Sequence, residues 1–175
     1  MRKLCIPSLL VILSLVLAPT LHAQGFYMDA ALEVVDLGQD LSDVSMGIGL
    51  ALDFGLDFQN GFALNLGFGS SAHQEDGWDT TYQRFWIGPR VTFDAGVARP
   101  YLEAGVMFHN VSWDFLYYDI DGTGLYVGAG ALWPTVMGGS LGAYFRYSPW
   151  DGEDSFGTYG DVGTTVIGVS YVFAY

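Results

Sequence analysis

After Lys3 the sequence has no lysine, after Cys5 it has no cysteine, and after Ala23 it has no apolar run long enough to cross a bilayer as a helix. Each absence excludes something. Without cysteine there is no disulfide and no thiol chemistry. Without runs of about 20 apolar residues there is no helical span. The basic residues beyond Lys3 are Arg84, Arg90, Arg99 and Arg146, set against 19 Asp and Glu. Four cations against 19 anions leave a formal charge of −15, which excludes a nucleic-acid partner because phosphates require neutralisation.

What is present is hydrophobicity without runs. The chain is 51% hydrophobic, 16% aromatic and only 14% charged, with 24 glycines. Apolar content on this scale must be dispersed by alternation, the pattern of a transmembrane β-barrel. Residues 1–23 read as a secretory signal peptide: Arg2 and Lys3, an apolar stretch from Leu9 to Ala18, then Leu21-His22-Ala23 before Gln24. Residues 24–175 are then one domain.

Period-two alternation predicts eight strands. The first, Gly25 to Val35, sets Phe26, Met28, Ala30, Leu32 and Val34 against Tyr27, Asp29, Ala31 and Glu33. The second runs from about Val44 to Phe58, with Met46, Ile48, Leu50, Leu52, Phe54, Leu56 and Phe58 facing lipid. Parity requires Phe58 and Phe62 to oppose each other across a three-residue turn, with Gly61 left-handed. Further strands are expected at Phe62 to Gly69, Thr81 to Phe93, Arg99 to Trp113, Leu125 to Trp133, Leu141 to Ser148 and Gly163 to Tyr175. Polar loops are expected at Leu37 to Asp43, Ser70 to Thr80, Asp114 to Gly122 and Pro149 to Asp161, alternating with short turns. The expected fold is all-β, an eight-stranded antiparallel up-and-down barrel with both ends on the periplasmic side.

The segment FWIGPR at Phe85 to Arg90, the Arg99-Pro100-Tyr101-Leu102 strand start, GAGA at Gly128 to Ala131 and the aromatic C-terminus carry a resemblance. They resemble the small eight-stranded outer-membrane barrels related to the transmembrane domain of outer-membrane protein A and to the opacity proteins. The resemblance implies a bacterial outer-membrane location and a C-terminal strand, with Val169, Tyr171, Phe173 and Tyr175, that the barrel-assembly machinery reads. That family most often ends in Phe, where this chain has Tyr175.

Parity places Arg84, Arg90, Arg99 and Arg146 in the lumen with Asp29, Glu33, Asp53, Asp57 and Glu103. An eight-stranded barrel is only wide enough for side chains to fill, so these charges are expected to pair and plug it, making a non-enzymatic protein with no cofactor. A narrow solute channel along these residues is the alternative. A second alternative is a lipid acyl hydrolase or transferase built on His109, Asn110, Ser112 and Asp114, with His73 as a spare base. It is disfavoured because His109 faces inward and Ser112 outward, while a nucleophile and its base must touch.

The remaining acids fall in the expected loops. Asp119-Ile120-Asp121-Gly122 and Asp151-Gly152-Glu153-Asp154 offer oxygen ligands but not the spacing of a calcium loop, so no resident metal is expected. The outer leaflet of such a membrane is anionic and these loops have no cation, so divalent ions are expected to bridge loops and outer-membrane lipid. Trp78, Trp86, Trp113, Trp133 and Trp150, with Tyr117, Tyr118, Tyr147, Tyr171 and Tyr175, are expected in interfacial girdles. The protein is expected to be a monomer.

Overall fold

The computed structural model describes residues 25–39, 41, 43–58, 61–75, 78–113, 118–136, 138–154 and 157–174. The expected signal peptide and Tyr175 lie outside these residues. Eight strands, β1 (Gly25–Gln39), β2 (Gly47–Asp57), β3 (Phe62–Glu75), β4 (Trp78–Thr92), β5 (Arg99–Trp113), β6 (Tyr118–Pro134), β7 (Ser140–Asp154) and β8 (Gly157–Ala174), form one closed antiparallel barrel. Closure is by β8 pairing with β1, from Tyr27↔Ala174 to Gln39↔Val162.

The register fixes the geometry. Gly25 pairs with Asp57, and the row continues through Ala63, Arg90, Glu103, Gly128, Arg146 and Val166 to Val35. One circuit therefore climbs ten residues, 35 minus 25. For eight strands such a stagger tilts them roughly 40° from the axis and leaves an interior that side chains fill.

The faces follow parity. On β1 the outward Phe26, Leu32 and Val34 are exposed, and the inward Tyr27, Asp29, Ala31, Glu33 and Val35 are buried. Leu50, Leu52, Phe54 and Leu56, then Phe85 and Ile87, then Leu125 and Val127, then Ile167 and Val169 extend the exposed apolar surface around the wall. From Phe26 to Val34 this belt is roughly 20–25 Å tall along the axis, which matches the apolar band of a membrane barrel.

The expected three-residue hairpin forms. Gly61 has φ +74°, the Phe58 amide donates to the Phe62 carbonyl at 2.8 Å, and the two rings meet at 5.8 Å. A side chain there would also strike the Thr92 carbonyl at 2.2 Å. Pro89 acts as expected, since the β4–β5 pairing skips from Ile87↔Val106 to Arg90↔Glu103.

The expected long loops are largely strand. β3 runs on to Glu75 and β4 starts at Trp78, β6 starts at Tyr118, β7 runs to Asp154 and β8 starts at Gly157. The physical reason is that alternation persists above the belt with its polarity reversed. Asp36, Asp119, Asp121, Asp151 and Asp161 face outward, while their neighbours Leu37, Ile120, Trp150 and Val162 are buried inside. The alternation of short turns with longer loops therefore does not hold, and the outer hairpins stand above the belt as a collar. Asp119 and Asp121 are splayed outward on one strand, and Asp121 accepts the Asn110 amide at 2.8 Å, so this segment is no calcium loop. Asp151 and Glu153 likewise point outward around buried Gly152.

Candidate functional site

The lumen is where the chain concentrates chemistry. Three guanidiniums, Arg84, Arg90 and Arg146, are 1–2% exposed, and four carboxylates, Asp29, Glu33, Asp53 and Glu103, are 1–4% exposed. Large inward side chains fit because glycines on adjoining strands give them room. A Cβ on Gly67 would lie 2.2 Å from the Trp86 ring, and one on Gly128 would lie 2.8 Å from Glu103. Small inward residues are thus the counterpart of large ones.

Arg146 is the hub. It donates to Asp53 at 2.7 Å and Glu103 at 2.5 Å, stands 3.9 Å from Glu33, and lies over the rings of Trp86 at 4.4 Å and Tyr144 at 4.6 Å. Arg90 donates twice to Glu103, at 2.9 and 3.1 Å, and lies over Tyr101 at 4.2 Å. With its oxygen turned toward Arg90, the Asn65 amide accepts at 2.8 and 3.0 Å and donates to Tyr27. Arg84 pairs with Glu33, which also accepts the Tyr144 hydroxyl at 2.6 Å. Trp86 donates to Asp53 at 2.7 Å. Charge-assisted bonds of this kind are the strong ones, and pairing is what makes such burial tolerable.

Three expected members stand apart. Arg99 is exposed at the lower rim and Asp57 is half-buried there, because both sit where the barrel opens and parity no longer selects an enclosed interior. Neither joins the ion pairs of the lumen. Asp29 is buried inward as expected, but both its carboxylate oxygens are without a hydrogen-bond partner.

Above the charges lies a neutral layer. The Tyr82 hydroxyl meets His109 Nδ1 at 2.6 Å, and His109 Nε2 meets Ser148 Oγ at 3.1 Å. Ser148 in turn donates to the Leu125 carbonyl at 3.2 Å. The chain is satisfied by a neutral imidazole that receives at Nδ1 and donates from Nε2. Trp150 stacks on His109 at 4.5 Å and 6° and donates to Thr164 at 2.9 Å. On β3, beyond the belt, His73 donates from Nδ1 to the Ser45 carbonyl at 2.8 Å and accepts from Ser71 at 2.8 Å. Burial pushes its imidazole pKa down, against the opposing pull of the Ser45 bond. Val35, Leu37, Leu41, Val44, Val111, Ile120 and Val162, all at most 3% exposed, close the outer mouth.

The hydrolase constellation is not assembled. Ser112 sits half-buried on the outward side, donating to the Thr81 carbonyl at 3.4 Å, and Asp114 lies outside the described residues. The serine that His109 does touch, Ser148, is 1% exposed, with no carboxylate bonded to that imidazole. Its inward parity on β7 was the available signal. The girdle reading fails for Trp86 and Trp150, both buried inside, and holds for Trp133, which is 43% exposed. On β8, Val169 and Phe173 are exposed outward, Tyr171 is half-buried, and Tyr171 and Phe173 meet edge to face at 4.7 Å.

No family model and no curated protein matches the chain. Solved structures do. Neisserial surface protein A superposes with a TM-score of 0.70 at 16% identity, over 84% of this chain and 95% of that one. The outer membrane protein OprG from Pseudomonas aeruginosa gives 0.61 at 11%, over 88% and 97%. Ail, the attachment invasion locus protein of Yersinia pestis, gives 0.52 at 16%, over 85% and 97%. At these identities the likeness is one of fold.

Proposed function

We propose that this chain, whose fold is that of the small eight-stranded barrels of bacterial outer membranes, is a non-enzymatic envelope protein with a plugged lumen and an acidic outer collar. The observation that supports it is the pairing of Arg84, Arg90 and Arg146 with Glu33, Asp53 and Glu103 beneath an apolar closure of the mouth. Such an interior is a structural polar core that bears the wall from within, and it leaves no continuous water column for solute. The collar, with exposed Asp79, Asp119, Asp121, Asp151, Glu153 and Asp161 and no exposed cation beside them among the described residues, meets an anionic outer leaflet. Divalent ions bridge the two, and the termini lie on the periplasmic side.

A role in surface contact or envelope support fits this shape, and two of the similar structures are, by their names, a surface protein and an attachment invasion protein. The outward Val169, Tyr171 and Phe173, with Tyr175, present the C-terminal strand to the barrel-assembly machinery, and the folded protein is a monomer bound by lipid. Planar-bilayer recording tests the plug: silence across voltages is expected, and discrete, reproducible openings overturn it. Chelator treatment in lipopolysaccharide tests the bridging, with a lowered thermal midpoint expected.

A further inference from the structure

The buried ion pairs do not balance. Among the described residues, four carboxylates and three guanidiniums are buried in the lumen, and the carboxylate left over is identifiable. Glu33 is met by Arg84, Asp53 by Arg146 and Trp86, and Glu103 by Arg90 and Arg146. Asp29 is 1% exposed, with neither oxygen bonded. The register makes this worse: Asp29 stands directly opposite Asp53, both pointing inward, and opposed like charges at such a pair repel.

A second orphan lies beside it. Ser170 is 6% exposed and its hydroxyl is also without a partner. It pairs with Ala31 while Asp29 pairs with Val172, so the two side chains are diagonal neighbours across β8 and β1. Diagonal neighbours are roughly 7–8 Å apart at their backbones, and with both side chains turned into the lumen the carboxylate and the hydroxyl face one another across the diagonal. Gly142, opposite Ser170 on β7, keeps that space open, since a Cβ there would fall 2.4 Å from the hydroxyl.

We propose that the lumen binds one monovalent cation of sodium size at Asp29, held by its carboxylate together with Ser170 Oγ and the facing oxygens of Asp53. A single positive charge brings the buried lumen to neutrality, and it satisfies both Asp29 oxygens and the serine oxygen at once. A proton on Asp29, its O–H donated to Ser170 Oγ, is the competing route to neutrality, and the response to sodium at fixed pH separates the two. A divalent ion would overshoot, leaving the buried lumen with one excess positive charge. Arg90 and Arg146, the cations nearest in the network, are committed to Glu103 and Asp53. Half-buried Asp57 lies four residues below Asp53 on the same strand, toward the lower rim.

The test is thermal unfolding of the whole folded protein in a neutral detergent, at fixed pH and ionic strength, in sodium chloride against choline chloride. The midpoint is expected to be higher in sodium and to climb about 3–5 °C per tenfold increase in free sodium once binding dominates. Asp29→Asn should remove the sodium dependence, and Ser170→Ala should weaken it while the barrel still forms. Asp94→Asn, on the exposed lower turn, should leave it unchanged. Equal midpoints in sodium and choline overturn the site. So does a sodium dependence that survives Asp29→Asn, which assigns the ion to the outer acids, or a midpoint that follows pH alone, which assigns Asp29 a proton. If Asp29→Asn does not fold, thallium(I) soaked into wild-type crystals decides: an anomalous peak at Asp29 is expected, and an empty site overturns the proposal.

Discussion

The belt level of the barrel and the collar above it share one backbone and one period, yet their side chains are reversed. At the belt, Leu125 and Val127 face out and Arg146 and Glu103 face in. In the collar, Asp119 and Asp121 face out and Ile120 faces in. A single strand makes the change within two residues: on β1, Val34 is outward and exposed, and Val35 is inward and fully buried. The wall is thus inside-out where lipid surrounds it and conventionally oriented where water does. The lesson is that alternation reports a strand, while the polarity of each face reports the solvent.

Mutations can break this contrast. The largest effect is expected at the belt-level hub. Arg146→Ala leaves Asp53 and Glu103 short of a partner in an enclosed interior, and should cost about 3–5 kcal/mol, read by urea unfolding in bilayers. In the collar, Ile120→Asn should cost about 2–4 kcal/mol, because position 120 is core despite its acidic neighbours; tolerance would mean that this segment is solvated loop. Tyr82→Phe removes the hydroxyl that serves His109 and should cost about 1–2 kcal/mol in the same assay.

Smaller still is a pH effect at the outer end. Burial holds the His73 pKa in the fold below its unfolded value, so the unfolded state binds more protons in the window between the two. Stability is therefore full above the unfolded pKa, near 6.5, and falls as pH drops through that window. His73→Gln should flatten this dependence as pH falls below about 6.5. The smallest change is at Asp121, directly opposite Glu153 on β7. Asp121→Asn relieves a like-charge pair and should stay within about 0.5 kcal/mol of wild type, on the stabilising side.

Much of the belt was legible in the sequence. Residues Arg99 to Trp113 form one strand as alternation predicts, and Gly61 takes the left-handed conformation that parity demands of it. Nine charged residues were assigned inward and seven are buried there. The collar was not legible, because Ser70 to Thr80 and Pro149 to Asp161 are polar enough to read as loops unless the buried parity of Ser71, His73, Trp150 and Val162 is followed on its own. Trp86 and Trp150 defy the girdle because an aromatic near a strand end fits a lumen as well; only the glycine opposite each, Gly67 for Trp86 and Gly124 for Trp150, decides between the two. Arg99 has inward parity but sits at the rim, where parity ceases to mean enclosure. The isolation of Asp29 is invisible to counting, since it depends on which carboxylates the three arginines reach.

The placement of the arginines has a practical consequence for proteolysis. Trypsin cuts after Lys and Arg but not before Pro, and beyond Lys3 this chain offers it Arg84, Arg90, Arg99 and Arg146. Three are sealed in the lumen and the exposed one precedes Pro100. A folded barrel therefore presents trypsin with no cleavable bond in the strands or outer hairpins. Tryptic digestion of this protein is an all-or-none reporter of barrel closure, whereas shaving the collar from intact cells calls for a protease that cuts at acidic or aromatic residues.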